Sequence, residues 1–293
     1  MSVLRFSLST NWCNRRIESG EAIADKAMEL GFDELELGYH TTLLQAKGFK
    51  ARLDQIPVGS VHAFCPVPIS APQGYPELYQ LASFDDEGRR MAKLMIGRNV
   101  AFAADMGADT LVLHAGRVMC RGFLRRWDMK RRVKRGRKMV DVLKRELEAL
   151  VPVLEENKVT LGLENLPYLE GFPQEWELKD VVGDWVKPWL DTGHAYVCTS
   201  KNWSADAAKY LPPNSQLSTP NSQLSTLSPV GLHITDSKGG DDHLPPGEGK
   251  VDFAALKPVA EKARHLVFEP HSEVDEAALK KGLAHLQALW ACS

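Results

Sequence analysis

Eight short apolar segments recur along the chain, and a stretch with helical periodicity separates most of them. These segments are predicted β-strands, at residues 3–9, 33–38, 58–65, 109–115, 159–165, 187–192, 231–236 and 265–270. Strands that alternate with helices pair in parallel through right-handed crossovers. Eight such units in 293 residues predict an α/β fold of the (β/α)8 TIM barrel type, with residues 1–293 forming a single domain.

Helices are predicted between these strands at residues 17–30, 85–106, 127–156, 253–263 and 274–290. Gly31 and Gly107 follow two of them and are typical of helix C-termini, and Asp252 is the predicted N-cap of another. A doubly wound open sheet is the alternative arrangement. That fold carries a glycine-rich phosphate-binding turn after its first strand, whereas this chain reads STNWCN there, so the barrel is favoured.

Composition and cysteine usage are typical of a soluble cytoplasmic protein. No apolar run reaches the roughly 18 residues that a membrane span needs, and the sequence MSVLRFSLST lacks the apolar region of a signal peptide. The five cysteines are scattered without a CxxC pair, which favours reduced thiols. We therefore expect a cytoplasmic localisation and no membrane partner.

The formal net charge of −2 conceals one strongly basic segment at residues 117–138. This segment holds eleven of the 36 Lys and Arg residues but only one of the 38 acidic residues, so the rest of the chain is acidic. One interpretation is that residues 125–138 form a solvated or interface face of a helix, and a homo-oligomer is left open. The other is that Arg117 and Arg121, with Lys238 further along, bind an anionic substrate group such as a phosphate. Nucleic acid is a disfavoured partner, because proteins that bind it usually have a basic domain and this chain has a pI near 6.5.

Residues 213–226 consist of the heptad PNSQLST repeated twice, without any charged residue. The repeat precedes the seventh predicted strand and therefore lies in a loop that leads from a helix into a strand. In a parallel barrel, such loops are on the face opposite the active site. We predict a flexible insertion without a catalytic role.

Polar side chains collect at the C-terminal ends of the predicted strands, which in a parallel barrel meet at one mouth. Those at strand ends are His62, His114, Glu164, Asp191, His194, His233 and Glu269, and the seventh strand is followed by Asp241 and His243. Any one of them is explained as a structural polar group, but together they are costly to bury without a compensating positive charge. A divalent cation supplies that charge, and nitrogen and oxygen ligands without thiolate suit Mn²⁺, Mg²⁺, Co²⁺ or Zn²⁺.

The motifs GLENLP, LDTGHA, HITDSK, DDHLPPGEGKVDF and FEPH, in this order, resemble those of the xylose isomerase-like TIM barrel superfamily. That superfamily groups sugar and sugar phosphate isomerases and epimerases with endonuclease IV. Similarity to its ketose epimerases implies that one metal is bound by Glu164, Asp191, His233 and Glu269. It also implies that Glu164 and Glu269 are the catalytic acid and base, and that His194 contacts the substrate.

Similarity to the endonuclease IV-like members implies a larger set, in which all nine residues have counterparts around a three-metal cluster. Two departures from that pattern are visible: His233 and Asp241 are closer in sequence, and Asp242 replaces an arginine. The chain also departs from several ketose epimerases, because Gly239 stands where they have an arginine six residues after the metal-binding histidine.

The sequence therefore predicts a metal-dependent isomerase or epimerase that acts on a small sugar, sugar phosphate or keto-polyol through an enediolate. The partner of such a protein is a small carbohydrate. Three alternatives stay open: an apurinic-site phosphodiesterase with a multinuclear metal site, a sugar-acid dehydratase on the same scaffold, and a barrel that binds a ligand without catalysis.

Overall fold

Eight parallel strands close into a barrel in the computed structural model, which describes residues 4–119, 125–211 and 228–291. They follow one another around the barrel in chain order as β1 Ser7–Ser9, β2 Glu34–Leu37, β3 Val58–His62, β4 Thr110–Leu113, β5 Thr160–Glu164, β6 Val186–Asp191, β7 Gly231–Ile234 and β8 His265–Phe268. Ser7 pairs with Glu34 on one side and with Val267 on the other, which closes the ring. The predicted strands and the (β/α)8 barrel are confirmed, and the closed ring excludes the open sheet.

Helices flank the barrel as α1 Gly20–Leu30, α2 Leu43–Lys50, α3 Asp86–Asp105, α4 Arg125–Glu148, α5 Val151–Asn157, α6 Glu175–Leu178, α7 Thr192–Ser200, α8 Trp203–Ala208, α9 Phe253–Ala260 and α10 Glu276–Ala291. Gly31 ends α1 with a φ of 91°, and the side chain of Asp252 caps α9, as predicted. The single helix predicted over 127–156 is wrong, because it divides into α4 and α5. Pro152 has no N–H to continue the hydrogen bonding of α4 and is accommodated in the first turn of α5.

Several short elements were not predicted. The helices α2, α6, α7 and α8 each have nine residues or fewer, which is too short for a clear helical period. Two antiparallel pairs join loops that follow the barrel strands: Gly116–Arg117 with Gly171–Phe172, and Asp236–Lys238 with Asp241–Leu244. These pairs hold the loops that leave the C-terminal ends of β4, β5 and β7.

Trp189 of β6 fills the barrel interior one layer below the strand ends. Its side chain is fully buried, and its ring centroid lies 5.1 Å from that of His233 in an edge-on arrangement. Gly231 of β7 makes room for the indole, since a Cβ there would lie 2.3 Å from Cζ3 of the ring. His265 stacks on the same indole with ring centroids 5.9 Å apart. The strand-end side chains therefore rest on a densely packed floor.

Three predicted features fall outside the described part of the chain. These are the duplicated heptads at 213–226 and the side chains of Arg121 and Asp241, so the flexible insertion stays a prediction. Among the described helices, none combines the length and the apolar character needed to cross a bilayer. Three of the five cysteines are described, and each is a buried free thiol: Cys13, Cys65 and Cys198.

Two buried glutamates of the short helix α6 differ in whether their carboxylates have a hydrogen-bond partner among the described residues. The carboxylate of Glu177 accepts hydrogen bonds from the buried guanidinium of Arg132 at 2.7 and 2.8 Å. Glu175 is only 4% exposed, and neither of its carboxylate oxygens has a hydrogen-bond partner among the described residues. Burial raises the pKa of Glu175 from 4.5 to about 7, so below neutral pH the folded protein holds this side chain as the neutral acid.

We predict that Glu175→Gln stabilises the protein at pH 8 and changes its stability little at pH 5. The unfolded chain ionises this group above pH 4.5, whereas the folded chain does so only near pH 7, so stability decreases as the pH rises through that interval. At pH 8 the folded parent carries a buried carboxylate without a partner, which the neutral amide removes. Thermal unfolding midpoints at both pH values measure the effect, and a gain of a few degrees is expected at pH 8.

Glu177→Gln is the matched control for this experiment. It weakens the buried ion pair with Arg132 and is expected to lower the unfolding midpoint at both pH values. An equal shift of the Glu175→Gln midpoint at pH 5 and pH 8 would contradict the assignment of Glu175 as a buried neutral acid.

Candidate metal centre

Four of the predicted metal-binding side chains converge at the mouth of the barrel. Glu164 ends β5, Asp191 ends β6, His233 lies in β7 and Glu269 directly follows β8. One ligand atom from each lies within 4.8 Å of those of the other three. From Nδ1 of His233, the distances are 3.1 Å to Glu164 Oε1, 3.2 Å to Glu269 Oε2 and 3.9 Å to Asp191 Oδ2. One nitrogen and three carboxylate oxygens thus face a common point.

One oxygen of Asp191 shows most directly that a cation fits this point. Oδ1 accepts hydrogen bonds from the backbone N–H of His194 and from the hydroxyl of Thr235, both at 2.7 Å. Oδ2 is buried and has no hydrogen-bond partner within the described chain. A buried carboxylate oxygen without a partner is costly, and a divalent cation at the common point removes that cost. Ligands of nitrogen and oxygen without thiolate suit the predicted Mn²⁺, Mg²⁺, Co²⁺ or Zn²⁺.

The pKa values in this group favour positive charge at its centre. Burial by itself raises the pKa of Glu164, but His233 and His114 outweigh burial and hold that pKa well below its ordinary value. Burial by itself lowers the pKa of His233, whereas the nearby carboxylates, first of all Glu269, raise it well above its ordinary value. A proton and a metal ion therefore compete for the same imidazole, and metal binding weakens as the pH falls.

A second group of three lies beside Glu164. His62 and His114 place Nε2 at 3.1 and 3.0 Å from Oε2 of Glu164, while Oε1 of the same carboxylate faces His233. His62 donates Nδ1–H to the carbonyl of Ala63 at 2.9 Å, which leaves Nε2 as its ligand atom. Burial lowers the pKa of His114 and keeps its imidazole neutral. Glu164 is thus placed to bridge two cation positions.

A third group consists of Asp191, His194 and His243, whose ligand atoms lie within 4.8 Å of one another. Nε2 of His194 and Nε2 of His243 are 3.3 Å apart. Each of these histidines donates Nδ1–H to a backbone carbonyl, that of Asn165 at 2.8 Å and that of Glu269 at 2.7 Å. Both Nε2 atoms are therefore free to bind a cation, and Asp191 is placed to bridge this position and the first.

The structure brings together eight of the nine residues that were predicted from the strand ends. The ninth, Asp241, lies in the strand Asp241–Leu244, but its side chain is outside the described part of the chain. The eight form one continuous cluster in which Glu164 and Asp191 are each shared by two groups. The roles of the individual residues as acid, base or ligand stay predictions.

Two polar side chains of this centre were not predicted from the sequence. Glu36 of β2 is fully buried, and its two oxygens lie 3.2 and 3.3 Å from Nε2 of His233. Asn11 follows β1 and donates its side-chain amide to Oε1 of Glu269 at 3.0 Å. The segment DELELG carried a signal for Glu36, since a glutamate inside a barrel strand is rarely buried without a partner.

The predicted anion-binding residues have different surroundings. Arg117 forms an ion pair with Glu77 and lies 4.4 Å above the ring of Tyr168, whose hydroxyl donates a hydrogen bond to the same glutamate. Lys238 is exposed in a loop that follows β7, and Arg121 is outside the described residues. Their binding of an anionic group stays a prediction. At Arg117 such a group would compete with Glu77.

The basic segment continues into the outer helix α4. Arg132 on this helix is buried and pairs with Glu177 of α6. The groove beside α4 has a volume of about 890 Å³, and Trp176 and Tyr210 lie in its wall. The basic side chains of α4 that line the groove are Lys130, Lys134, Arg137, Lys138 and Lys144. The helix thus presents an exposed basic face away from its buried arginine.

Comparison with known proteins identifies the family and the fold. A family model described as xylose isomerase-like TIM barrel matches residues 24–289. No curated protein sequence matches the chain significantly. A D-tagatose 3-epimerase-like protein superposes with a TM-score of 0.68 at 19% sequence identity, and the match covers 97% of each chain.

Two further solved structures share the barrel. The 3-keto-D-glucoside 4-epimerase from E. coli, in its apo form, has a TM-score of 0.70 at 16% identity, covering 98% of this chain and 100% of that chain. The IolI protein, crystallised with a bound zinc atom, has a TM-score of 0.65 at 14% identity, covering 99% and 100%. At these identities the similarity establishes the fold alone.

We predict that His233→Ala reduces the metal bound per chain by about tenfold or more, because the variant loses the nitrogen ligand of the central group. The barrel is expected to stay folded, since its packed floor lies below this residue. Elemental analysis of dialysed protein measures bound metal, and circular dichroism checks the fold. His285→Ala, which removes an exposed histidine of α10, is the matched control. Equal metal content in the parent and His233→Ala would eliminate the site as described.

Proposed function

We propose a function for this chain from one premise: it belongs to the xylose isomerase-like TIM barrel family. The proposal is a metal-dependent isomerase or epimerase that acts on a small sugar, sugar phosphate or related keto-polyol. The observation that carries it is the position of two glutamates, Glu164 and Glu269, whose carboxylate oxygens lie 3.1 and 3.2 Å from Nδ1 of His233. A substrate bound at that point has two carboxylates within reach of one carbon.

The central group would hold the metal through Glu164, Asp191, His233 and Glu269. A divalent cation at this position supplies Lewis acidity, which lowers the pKa of the C–H bond next to a substrate carbonyl. The remaining chemistry belongs to the side chains. One glutamate abstracts the proton from that carbon to give an enediolate, and the other returns a proton to it.

The two glutamates differ in how they are held. Glu164 is fully buried and its Oε2 is bound by His62 and His114, so this carboxylate is fixed in place. Glu269 is 5% exposed, and the amide of Asn11 holds its Oε1 while Oε2 points to the centre. We assign Glu269 as the group that takes the proton first, because it is the more accessible and the less encumbered by histidines.

Other reactions begin with the same proton transfer. If a glutamic acid of the site instead gives its proton to the hydroxyl group on the next carbon of the enediolate, that group leaves as water and the same site is a sugar-acid dehydratase. His194 is the proposed substrate contact at the rim, because Nδ1 is committed to the carbonyl of Asn165 and Nε2 faces the mouth beside His243. With these side chains, the structure of the substrate determines whether the enediolate is protonated or loses water.

We predict that a substrate turned over in D₂O acquires deuterium at the carbon next to its carbonyl. Incubation with a panel of ketoses and ketose phosphates, each followed by NMR, measures this exchange for every candidate substrate. Glu269→Gln keeps the size of the side chain and one ligand oxygen but loses the base, so exchange should fall by about 10²-fold or more. Its metal content should fall much less than that of His233→Ala.

Glu273→Gln is the control, because it makes the same change at an exposed position four residues further on. It should exchange at the rate of the parent. A product free of deuterium, together with an active Glu269→Gln variant, would overturn the proton-transfer assignment even if the metal site is correct.

The second candidate function is a phosphodiesterase with a multinuclear metal site. The observation in its favour is that Glu164 and Asp191 are each shared with a flanking group, so that up to three cation positions adjoin. The acidic balance of the chain outside residues 117–138 counts against a nucleic acid substrate.

We predict that the metal-loaded protein does not nick plasmid DNA that contains abasic sites, measured as conversion of supercoiled to relaxed plasmid. His114→Ala and His243→Ala serve as paired variants, because each removes a ligand from one flanking group and leaves the central group complete. Nicking by the parent that both variants abolish would favour the phosphodiesterase over the isomerase.

A further inference from the structure

We propose that Glu36 is a positioning residue that fixes the ring orientation and the tautomer of His233, so that Nδ1 faces the metal with its lone pair. The proposal rests on the central metal group of the proposed function. Glu36 itself is not among the residues that could ligate there: its oxygens lie on the far side of the imidazole, against Nε2, while Nδ1 faces Glu164 and Glu269. It acts on the metal through His233.

Packing fixes the plane of the His233 ring but does not fix the orientation of the ring within that plane or its tautomer. The ring of His62 is parallel to it, with centroids 5.7 Å apart and an angle of 7°. The indole of Trp189 meets it edge-on at 5.1 Å. A rotation of the imidazole by 180° about its Cβ–Cγ bond would keep nearly the same packing contacts, but it would put Cδ2 in the place of Nδ1 and Cε1 in the place of Nε2. Transfer of the proton from one nitrogen to the other would leave the packing unchanged as well. Shape alone therefore fixes neither the ring orientation nor the nitrogen that carries the lone pair.

The carboxylate of Glu36 removes this ambiguity. An ionised carboxylate only accepts hydrogen bonds, so the nitrogen 3.2 and 3.3 Å from its two oxygens must carry hydrogen. In the neutral ring, hydrogen on Nε2 leaves the lone pair on Nδ1, where it points to the three carboxylates of the central group. The negative charge of Glu36 also makes the imidazole a stronger ligand.

The barrel holds the carboxylate of Glu36 in place for this contact with His233. It is fully buried in β2, and its Oε2 accepts a hydrogen bond from Ser60 of β3 at 2.9 Å. Its other hydrogen-bond contacts in the described residues are those with His233. A buried carboxylate is costly unless a partner with hydrogen faces it, and here the imidazole is that partner.

The test compares Zn²⁺ binding by the parent, Glu36→Leu and Glu36→Gln, in competition with a chromophoric chelator. Glu36→Leu removes the acceptor and the charge and should weaken binding by about 10- to 100-fold. Glu36→Gln keeps an acceptor oxygen but loses the charge, so its affinity should lie between those of the parent and Glu36→Leu. Glu34→Gln is the matched control: it lies on the same face of β2, pairs with Arg5 and should bind Zn²⁺ like the parent.

A spectroscopic readout separates positioning from a general loss of stability. In Zn²⁺-loaded protein labelled with ¹⁵N-histidine, the parent should show His233 with hydrogen on Nε2 and metal on Nδ1. In Glu36→Leu this signature should be lost or mixed with the other ring state, whereas Glu36→Gln should largely restore it. A purely structural role would lower the unfolding temperature and leave the signature unchanged.

These experiments distinguish failure of the Glu36 inference from failure of the proposed function. If the parent binds Zn²⁺ and Glu36→Leu binds it equally tightly with the same His233 signature, this inference is overturned and the metal site stands. If Glu36→Leu does not fold, an unchanged affinity of Glu36→Gln overturns the inference in its place. A parent that binds no Zn²⁺ overturns both the inference and the proposed function.

Discussion

The mouth of the barrel depends on one interaction, the gathering of buried carboxylates around the single imidazole of His233. Glu36 faces one nitrogen of the ring, and Glu164, Asp191 and Glu269 face the other. Each ion taken out of water costs several kcal/mol unless it is paired. One imidazolium carries a single positive charge, so it cannot compensate four carboxylates. A divalent cation at this point would restore the balance, which supports the proposal of a metal centre.

Such a concentration of charge requires a support that does not relax. The barrel provides it through Trp189, which fills the interior below the site, and through glycine at Gly231, where a larger residue would collide with the indole. The ligand histidines are held in a second way. His62, His194 and His243 each donate Nδ1–H to a backbone carbonyl, so Nε2 is their common ligand atom. His233 alone is held by a carboxylate and presents Nδ1, which is consistent with its place among three anionic ligands.

The sequence predicted the parts of this centre that follow from periodicity and from the ends of strands. Alternating apolar runs located all eight barrel strands, and parallel closure then brought residues as distant as His62 and Glu269 to one mouth. Glu36 was not predicted, because it lies within a strand and only the closed barrel places it against His233, almost two hundred residues away in sequence. Asn11 and Glu77 were not predicted for the same reason. Their partners are determined by tertiary contacts, which no local sequence pattern encodes. The prediction of a single helix over 127–156 is wrong because the charged pattern continues across Pro152. Pro152 lacks the N–H that would continue the hydrogen bonding of the helix.

The surroundings of Arg117 bear on the kind of substrate that the mouth accepts. Its guanidinium is already balanced by Glu77 and stacked on Tyr168. A phosphate at Arg117 would have to displace Glu77. The net binding energy would then be only the difference between the interaction of Arg117 with the phosphate and its interaction with Glu77. A neutral sugar leaves this ion pair intact and exchanges hydrogen bonds with hydroxyl groups instead. Among the substrates proposed, an uncharged sugar or keto-polyol is therefore favoured over a sugar phosphate at the Arg117 side of the mouth.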